Sequence, residues 1–212
     1  MIGGQFHGKS FEDWVKGCRF PGSSDSGRSN TAEFDVEAKF DRDRGLPTSI
    51  KSGLGSHVAL SDARRFWKID QEFRLLFGHY RQNGIVKHFD QVHEFLITPE
   101  ILSRLRGELD AAEVERLHFG LSLSRFPVGK HVEARSWARS EKARLAGRAS
   151  SIVLNPKIDS KTQRRLQCSI KLRDLIEACE TGDRYFFHDQ KVGTCLLPFR
   201  LESAKRKFGA KP

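Results

Sequence analysis

The chain has 212 residues, of which 38% are hydrophobic and 30% are charged. This length is enough for one buried core, and the composition is typical of globular proteins and too polar for a membrane protein. No apolar run approaches the roughly 20 residues that a bilayer-spanning helix needs, and the first residues lack the apolar stretch of a signal peptide, so we expect a single cytoplasmic domain over residues 1–212.

The net charge of +10 is concentrated in one part of the chain. Between Lys130 and Arg173, twelve Lys and Arg residues stand against three acids. Such a concentration is most often explained by a polyanionic partner, because neutralised phosphates release their counterions when the protein binds. The alternative is a solvated basic surface without a partner.

The four cysteines are far apart in the sequence and form no C-x-x-C pair. This spacing gives no indication of a zinc site or a redox motif. We expect reduced, buried thiols at Cys18, Cys168, Cys179 and Cys195.

The first third of the chain predicts a helix followed by a β-hairpin. Ser10 can cap a short helix, and the polar residues 21–30 are typical of a loop. Phe34–Phe40 alternates apolar and charged residues with period two, which predicts a strand, and Leu46–Ser52 returns after a turn over residues 41–45. Asp35 would then lie on one strand and Lys51 on the next.

Further elements follow in the rest of the chain, and the sequence shows no internal repeat. A basic helix is favoured where Ala, Arg, Glu and Lys dominate, and paired strands are favoured where β-branched and apolar residues alternate with polar ones. We predict a helix capped by Ser61, strands over Arg74–Tyr80 and Val86–Ile97, helices over Pro99–Leu105, Ala111–Leu117 and Glu133–Ala146, a strand pair over Ser151–Asn155 and Arg165–Lys171, a helix over Leu172–Cys179 and a strand over Thr194–Leu201.

The spacing Asp35-x13-Ser49-Ile-Lys51 resembles the motif of the PD-(D/E)XK nuclease superfamily, and its sequence context looks most like a type II restriction endonuclease. The resemblance covers about residues 10–69. It implies an α/β (α+β) fold whose restriction-endonuclease-like core is a central mixed β-sheet flanked by helices. We expect this catalytic core over about residues 8–100 and a basic DNA-binding elaboration over about residues 130–175.

Hydrolysis of a phosphodiester needs an attacking hydroxide and neutralisation of charge on the phosphate. A carboxylate such as that of Asp35 can hold Mg²⁺, a hard cation that keeps most of its waters and contacts the phosphate. Lys51 would orient the attacking water and stabilise the developing negative charge. The resemblance further implies that the backbone carbonyl of Ile50 completes the metal shell.

Ser49 departs from the family pattern, because a second acid usually stands at that position. Three residues can supply the missing carboxylate. Glu37 lies on the predicted strand of Asp35, about 6–7 Å along it, while Glu12 lies on the first helix and Asp62 at the start of the second. We rank them in that order.

A rival register, Asp25-x11-Glu37-Ala-Lys39, fits the family pattern without a serine. Asp25 lies in the predicted loop, however, whereas Asp35 and Lys51 both lie on predicted strands. We therefore favour Asp35 and Lys51. The remaining alternative is an amphipathic hairpin whose charged residues only face solvent.

The basic segment contains the side-chain types that contact phosphates and base edges in duplex DNA. The predicted hairpin carries Asn155, Lys157, Lys161, Gln163, Arg164, Arg165 and Gln167, and the predicted helix before it carries Arg135, Arg139, Lys142 and Arg144.

Other motifs are weaker. His88 and His93 precede Glu94, but on a regular strand a spacing of five places the two imidazoles on opposite faces. His188-Asp189 has no identifiable nucleophilic partner, and the sequence contains no P-loop.

We therefore expect a Mg²⁺-dependent, sequence-specific endonuclease of a prokaryote or phage, acting on double-stranded DNA as a homodimer and without a membrane partner. Two alternatives stay open. One is a structure-specific nuclease such as a Holliday-junction resolvase. The other is a catalytically degenerate DNA-binding protein on the same fold.

Overall fold

The computed structural model describes residues 6–23 and 33–202, which form two compact units. Unit 1 contains the residues up to Gly55, Glu72–Ile97 and the residues from Thr181 onward, and unit 2 contains Ser56–Gln71 and Thr98–Glu180. The single domain over residues 1–212 stays a prediction.

The labels of helices and strands follow the order of the chain. Unit 1 contains α1 (Phe6–Arg19), a 3-10 helix (Ala38–Phe40), β1 (Thr48–Gly53), β3 (Phe73–Asn83), β4 (Val86–Ile97), β7 (Tyr185–His188), β8 (Lys191–Val192), β9 (Cys195–Leu196) and β10 (Phe199–Glu202). Unit 2 contains β2 (His57–Asp62), α2 (Ala63–Lys68), α3 (Pro99–Arg106), α4 (Ala111–Gly120), α5 (His131–Leu145), β5 (Ile152–Ile158), β6 (Arg164–Lys171) and α6 (Leu172–Cys179). None of the described helices is both long enough and apolar enough to cross a membrane.

Unit 1 is built on a mixed sheet with the strand order β1-β3-β4-β10, in which β7 also pairs with β4. β1 and β3 are parallel, and the other pairings are antiparallel. A mixed central sheet in an α/β fold was predicted and is confirmed. The two parallel strands matter most for the site, because β1 carries Ser49, Ile50 and Lys51.

Helix α1 packs against one face of this sheet. Its residues Phe11 and Val15 are fully buried with Ile50 and Leu76 in the core of the unit. The close approach requires a glycine at position 78, because a Cβ there would lie 2.2 Å from the Cζ of Phe11. The helical spacing of apolar residues in α1 therefore positions the strand that carries Lys51.

Unit 2 is built on an antiparallel sheet with the order β2-β6-β5. The predicted strand pair is confirmed as β5 and β6, with Asn155 opposite Gln167 and Lys157 opposite Arg165. β2 was not predicted. Val58 of β2 is fully buried, but its neighbours in the strand are half-buried or exposed, so this strand carries little local apolar signal.

The predicted strand over Phe34–Phe40 is wrong. Only Val36 pairs, in an isolated antiparallel bridge with Thr48, and the chain then forms the 3-10 helix. Asp41 explains the difference, because its carboxylate is buried and accepts hydrogen bonds from the amides of Asp43 and Leu46. These contacts turn the chain before a longer strand can form.

Several other boundaries differ from the predictions: α1 begins at Phe6, so Ser10 lies inside the helix and does not cap it. Helix α2 is capped by Asp62 rather than Ser61, since the Asp62 carboxylate accepts a hydrogen bond from the amide of Arg65 at 3.0 Å. The predicted strand over Thr194–Leu201 is divided into β9 and β10 around Pro198, which has no amide hydrogen to donate to a ladder.

The expectation of four reduced thiols is wrong for two cysteines. Cys18, near the end of α1, and Cys195, on β9, form a disulfide with a Cα–Cα distance of 5.3 Å. The two residues are 177 positions apart, so their proximity comes from the folded chain and not from a sequence motif. Cys168 and Cys179 are buried thiols.

Candidate active site

Asp35 and Lys51 form a direct contact in unit 1. The Lys51 Nζ donates a hydrogen bond of 2.7 Å to Asp35 Oδ2, and the Ile50 amide donates a second one of 2.7 Å to the same oxygen. Both side chains stay accessible, at 26% for Asp35 and 20% for Lys51. The structure therefore brings together the carboxylate and the ammonium group that the sequence singled out.

The geometry of β1 explains this contact. Thr48 and Val36 exchange two backbone hydrogen bonds of 2.9 Å, so the amide and carbonyl of Thr48 point to the edge on which Asp35 lies. Because alternate residues of a strand repeat this direction, the amide and carbonyl of Ile50 point to the same edge. The side chains of Ser49 and Lys51 share one face of the strand.

The three candidates for the missing acid have other contacts. Glu37 is ion-paired with Lys39 at 2.7 Å, and both side chains are about half exposed or more. Glu12 is paired with Lys16 one turn along α1. Asp62 caps α2 in unit 2. Among residues 6–23 and 33–202, no three His, Cys, Asp or Glu side chains are grouped as a metal site.

The rival register is tested only in part, because Asp25 lies outside the described residues. Its other two members, Glu37 and Lys39, neutralise each other at the surface.

The oxygen donors near Lys51 fit a hard cation that keeps most of its waters. Mg²⁺ is usually held by one or two carboxylates together with substrate phosphate. Here one carboxylate, that of Asp35, lies at the edge to which the Ile50 carbonyl points, and Ser49 adds a hydroxyl on the Lys51 face. This donor set accommodates one cation with few protein ligands.

A buried charge network near this sheet was missed by the sequence analysis. Arg74 of β3 contacts Asp41 Oδ1 and Glu94 Oε1 at 2.8 Å each, and all three side chains are at most 4% exposed. Arg19 and His188 also contact Glu94, at 3.0 Å and 2.8 Å. The signal in the sequence was that Arg74 and Glu94 each lie beside a short apolar run, Leu75–Phe77 and Phe95–Ile97.

The network keeps its carboxyl groups ionised. Burial raises the pKa of Glu94, but the hydrogen bond with His188 and the charges of Arg19 and Arg74 outweigh it, so the pKa lies below its ordinary value. Burial likewise raises the pKa of Asp41, but the contacts with Arg74 and the Leu46 amide have the larger effect. The pKa of Asp41 therefore also lies below its ordinary value. His188 thus pairs with Glu94 and not with a nucleophile.

His93 lies on the opposite face of the sheet from Glu94. Its Nδ1 is 2.9 Å from the Tyr185 hydroxyl, and the residue is 6% exposed. Burial, with the neighbouring charges of His79 and His188, lowers the pKa of His93 to about 4. His93 is therefore neutral at pH 7.

The expected placement of His88 and His93 on opposite faces is wrong. At a bulge between β3 and β4, Asp90 is opposite no residue of β3 in the strand register. His88 is therefore opposite Arg81, and His93 is opposite Phe77. Phe77 and Arg81 are four residues apart on β3, so the two histidines lie on one face of the sheet but roughly 13 Å apart along the strand. They do not form a two-histidine metal site.

The predicted DNA-contacting residues in unit 2 divide into two groups. Three of them hold the unit together. Arg135 donates to the Ile158 carbonyl, Asn155 donates to the Val153 carbonyl and to Ser169 Oγ, and Arg164 donates to the Asp159, Gln163 and Phe126 carbonyls. The exposed or half-exposed remainder comprises Arg139, Lys142, Arg144, Lys157, Lys161, Gln163, Arg165 and Gln167.

Comparisons with protein-family models, with curated proteins and with solved structures find no match to this chain. A function is therefore inferred from the site residues and their contacts.

Proposed function

We propose that this protein is a Mg²⁺-dependent DNA endonuclease with a PD-(D/E)XK-like core, acting on double-stranded DNA. The observation that carries the proposal is the contact between Asp35 and Lys51, which joins an accessible carboxylate to an accessible ammonium group at the edge of β1. A sequence-specific restriction enzyme that works as a homodimer is the form of this activity that we favour.

The cation would be held by the Asp35 carboxylate and the Ile50 carbonyl. When bound, it supplies Lewis-acid polarisation of the phosphate and a water of lowered pKa. The Ile50 amide orients the Asp35 carboxylate through its 2.7 Å hydrogen bond. Lys51 orients the attacking water and stabilises negative charge on the phosphate oxygens. Ser49, on the same face of β1, offers a hydroxyl to the water or phosphate.

The protein can be tested with plasmid DNA and with a four-way junction, each in Mg²⁺ and in EDTA. Discrete plasmid fragments that require Mg²⁺ are expected. Cleavage of the junction alone would instead indicate a structure-specific nuclease. Sedimentation of the protein with and without duplex DNA tests the homodimer.

Two substitutions test the site. Asp35→Asn keeps an oxygen for the Ile50 amide, and Lys51→Met keeps the length of the side chain, so both should fold. Each should lower the cleavage rate by about 100-fold or more, the usual effect of removing one charge-stabilising group. Lys39→Gln is the matched control, since it removes an exposed lysine of the neighbouring segment. Loss of cleavage in Lys39→Gln, with normal cleavage by Lys51→Met, would favour the rival register.

One observation favours a second function, a DNA-binding protein that does not cut. Ser49 replaces the usual second acid, and residues 6–23 and 33–202 contain no acidic cluster of the kind that holds two cations. Binding of duplex DNA without cleavage in Mg²⁺ or Mn²⁺ would support that function and would contradict the nuclease.

A further inference from the structure

The antiparallel sheet of unit 2 has one apolar face and one polar face. Its inner face consists of buried residues, among them Val58, Leu154, Leu166 and Ile170. The residues that alternate with these along the strands form the opposite face, here called the outer sheet face, and are half-buried or exposed. Its polar members are His57 and Asp62 of β2, Asn155 and Lys157 of β5, and Arg165, Gln167, Ser169 and Lys171 of β6.

We propose that the outer sheet face binds duplex DNA, with Lys157, Arg165 and Lys171 on phosphates and Gln167 at a base edge. The inference deepens the proposed function, on which its choice of DNA rests. It assigns the contact with DNA to the sheet and not to helix α5.

Like charges lie opposite each other on this face. Lys157 pairs directly with Arg165 across β5 and β6, an arrangement that destabilises a sheet unless an anion neutralises it. Within the described residues, neither side chain forms an ion pair. Within residues 33–202, the acid in register with this face is Asp62, opposite Gln167, and its carboxylate caps α2. Three basic side chains against one acid leave the face with a net positive charge.

Helix α5 differs, because acids neutralise much of its charge. Arg144 contacts Glu141 at 3.1 Å and Glu113 at 3.4 Å, and Arg148, just beyond the helix, contacts Glu113 at 3.2 Å. Near the start of the helix, Lys130 is paired with Glu133 at 2.8 Å. Arg139 and Lys142 stay exposed on α5, so what distinguishes the outer sheet face is not a higher net charge but the directly opposed pair Lys157 and Arg165.

The length of the face fits an extended polyanion. Arg165 and Lys171 are six residues apart on one strand, which corresponds to about 20 Å. A strand of duplex DNA carries one phosphate per about 3.4 Å of helix axis, so the face spans several phosphates. It carries no Phe, Tyr or Trp, whereas proteins that bind single strands usually stack bases on aromatic side chains. These features favour a duplex.

Local hydrogen bonds hold the hairpin of β5 and β6 in shape. At its tip, the Asp159 carboxylate accepts hydrogen bonds from the amides of Lys161 and Gln163. The Asn155 amide nitrogen is engaged by Val153 and Ser169. Gln167 makes no such hydrogen bond within the described residues, so its amide can pair with both groups of an adenine edge.

Binding can be measured by fluorescence anisotropy in EDTA, which separates it from cleavage. The probes are a 20-base-pair DNA duplex of mixed sequence, one of its single strands and an RNA duplex of the same sequence. We expect the DNA duplex to bind most tightly. Equal or tighter binding of the single strand or of the RNA would overturn the choice of duplex DNA.

Two double variants with the same charge change test the location. Lys157→Gln/Arg165→Gln should weaken binding by about tenfold or more near 0.1 M salt and lower the slope of log affinity against log salt by about 2. Arg139→Gln/Lys142→Gln on α5 should change the affinity less than threefold. Equal losses in the two variants, or a larger loss in the α5 variant, would overturn the proposal. Because no metal is present, failure of the nuclease leaves this result intact.

Gln167→Ala tests the base contact. Selection from a randomised duplex should yield a preferred sequence for the parent protein, and the variant should lose the preference at one position while keeping the salt slope. An unchanged preference would show that Gln167 does not read a base.

Discussion

Arg74 holds two carboxylates in the interior of unit 1. The side chains of Arg74 and Asp41 are each 1% exposed and that of Glu94 is 4% exposed, so neither acid has water as a substitute partner. Each charge depends on the others, because a buried charge without a counterion is costly. The same contacts turn the chain at Asp41 and so end the segment that carries Asp35.

Replacing Arg74 should therefore destabilise the protein strongly. Arg74→Met leaves the buried Asp41 carboxylate without its counterion and removes one of the three partners of Glu94, so it should lower the free energy of unfolding by about 3–5 kcal/mol at pH 7. Urea unfolding measures the change. Arg81→Met on the same strand is the control: its ion pair with Asp90 is 76% exposed on the arginine side, and its loss should cost at most about 1 kcal/mol. Similar values for the two variants would contradict the importance of the network.

His93 should make stability depend on pH in a defined range. Its folded pKa of about 4 lies below the unfolded value of about 6.5, so the unfolded state binds more protons between these values. The stabilisation is fully present above pH 6.5 and is lost as the pH falls toward 4. His93→Gln should flatten the plot of unfolding free energy against pH in this range and leave its slope unchanged above it. An identical plot for both proteins would refute the shift.

At the scale of elements, α1 contains one glycine in open surroundings, and the strand β3 on which it packs contains one in tight surroundings. A Cβ at Gly78 would lie 2.2 Å from the Phe11 ring, whereas a Cβ at Gly17 would meet nothing within 4 Å. The first glycine permits contact between α1 and β3. The second only weakens the helix, because glycine has a high conformational entropy in the unfolded chain.

Alanine at these two positions should therefore have opposite effects. Gly78→Ala should displace Phe11 and destabilise the protein by about 1–3 kcal/mol, while Gly17→Ala should stabilise it by about 0.5–1 kcal/mol. Thermal unfolding of the two variants beside the parent protein measures both. Equal midpoints for Gly78→Ala and the parent would show that α1 does not pack as described.

At the scale of the whole molecule, the disulfide joins two distant parts of the chain. It links Cys18 near the end of α1 to Cys195 on β9, and the Thr194 amide and hydroxyl both donate to the Cys18 carbonyl. Disulfides persist mainly in oxidising compartments, so this bond argues against the cytoplasmic location that was expected from the sequence. Burial raises the pKa of the Cys168 thiol, so this cysteine should react slowly.

Reducing the disulfide should lower stability without unfolding the protein's secondary structure. The bond closes a loop across 177 positions, and removal of such a cross-link typically costs about 2–4 kcal/mol. Cys18→Ser/Cys195→Ser and the reduced parent protein should melt at the same lower temperature. Dithiothreitol should have no further effect on the double variant; a further decrease would point to a different cross-link.

Much of the local structure could be predicted from the sequence. β4 over Val86–Ile97 and α6 over Leu172–Cys179 have the predicted bounds, and the hairpin of β5 and β6 pairs as expected. Each of these elements depends on an apolar periodicity, a cap or a turn formed by residues close together in the sequence. Such local features can be recognised from the sequence alone. Asp35 and Lys51 were expected to lie near each other on two strands; they are in contact, but Asp35 does not lie on a strand.

The sequence by itself determined the mixed α/β class, the positions of most elements and the concentration of charge between Lys130 and Arg173. Only the tertiary structure decided which charges are compensated. The partners of Arg74, the Cys18–Cys195 disulfide and the pairing of Arg144 with Glu113 all depend on residues far apart in the chain. Periodicity and spacing in the sequence do not predict such contacts, because these groups come within a few ångströms of each other only when the backbone has folded.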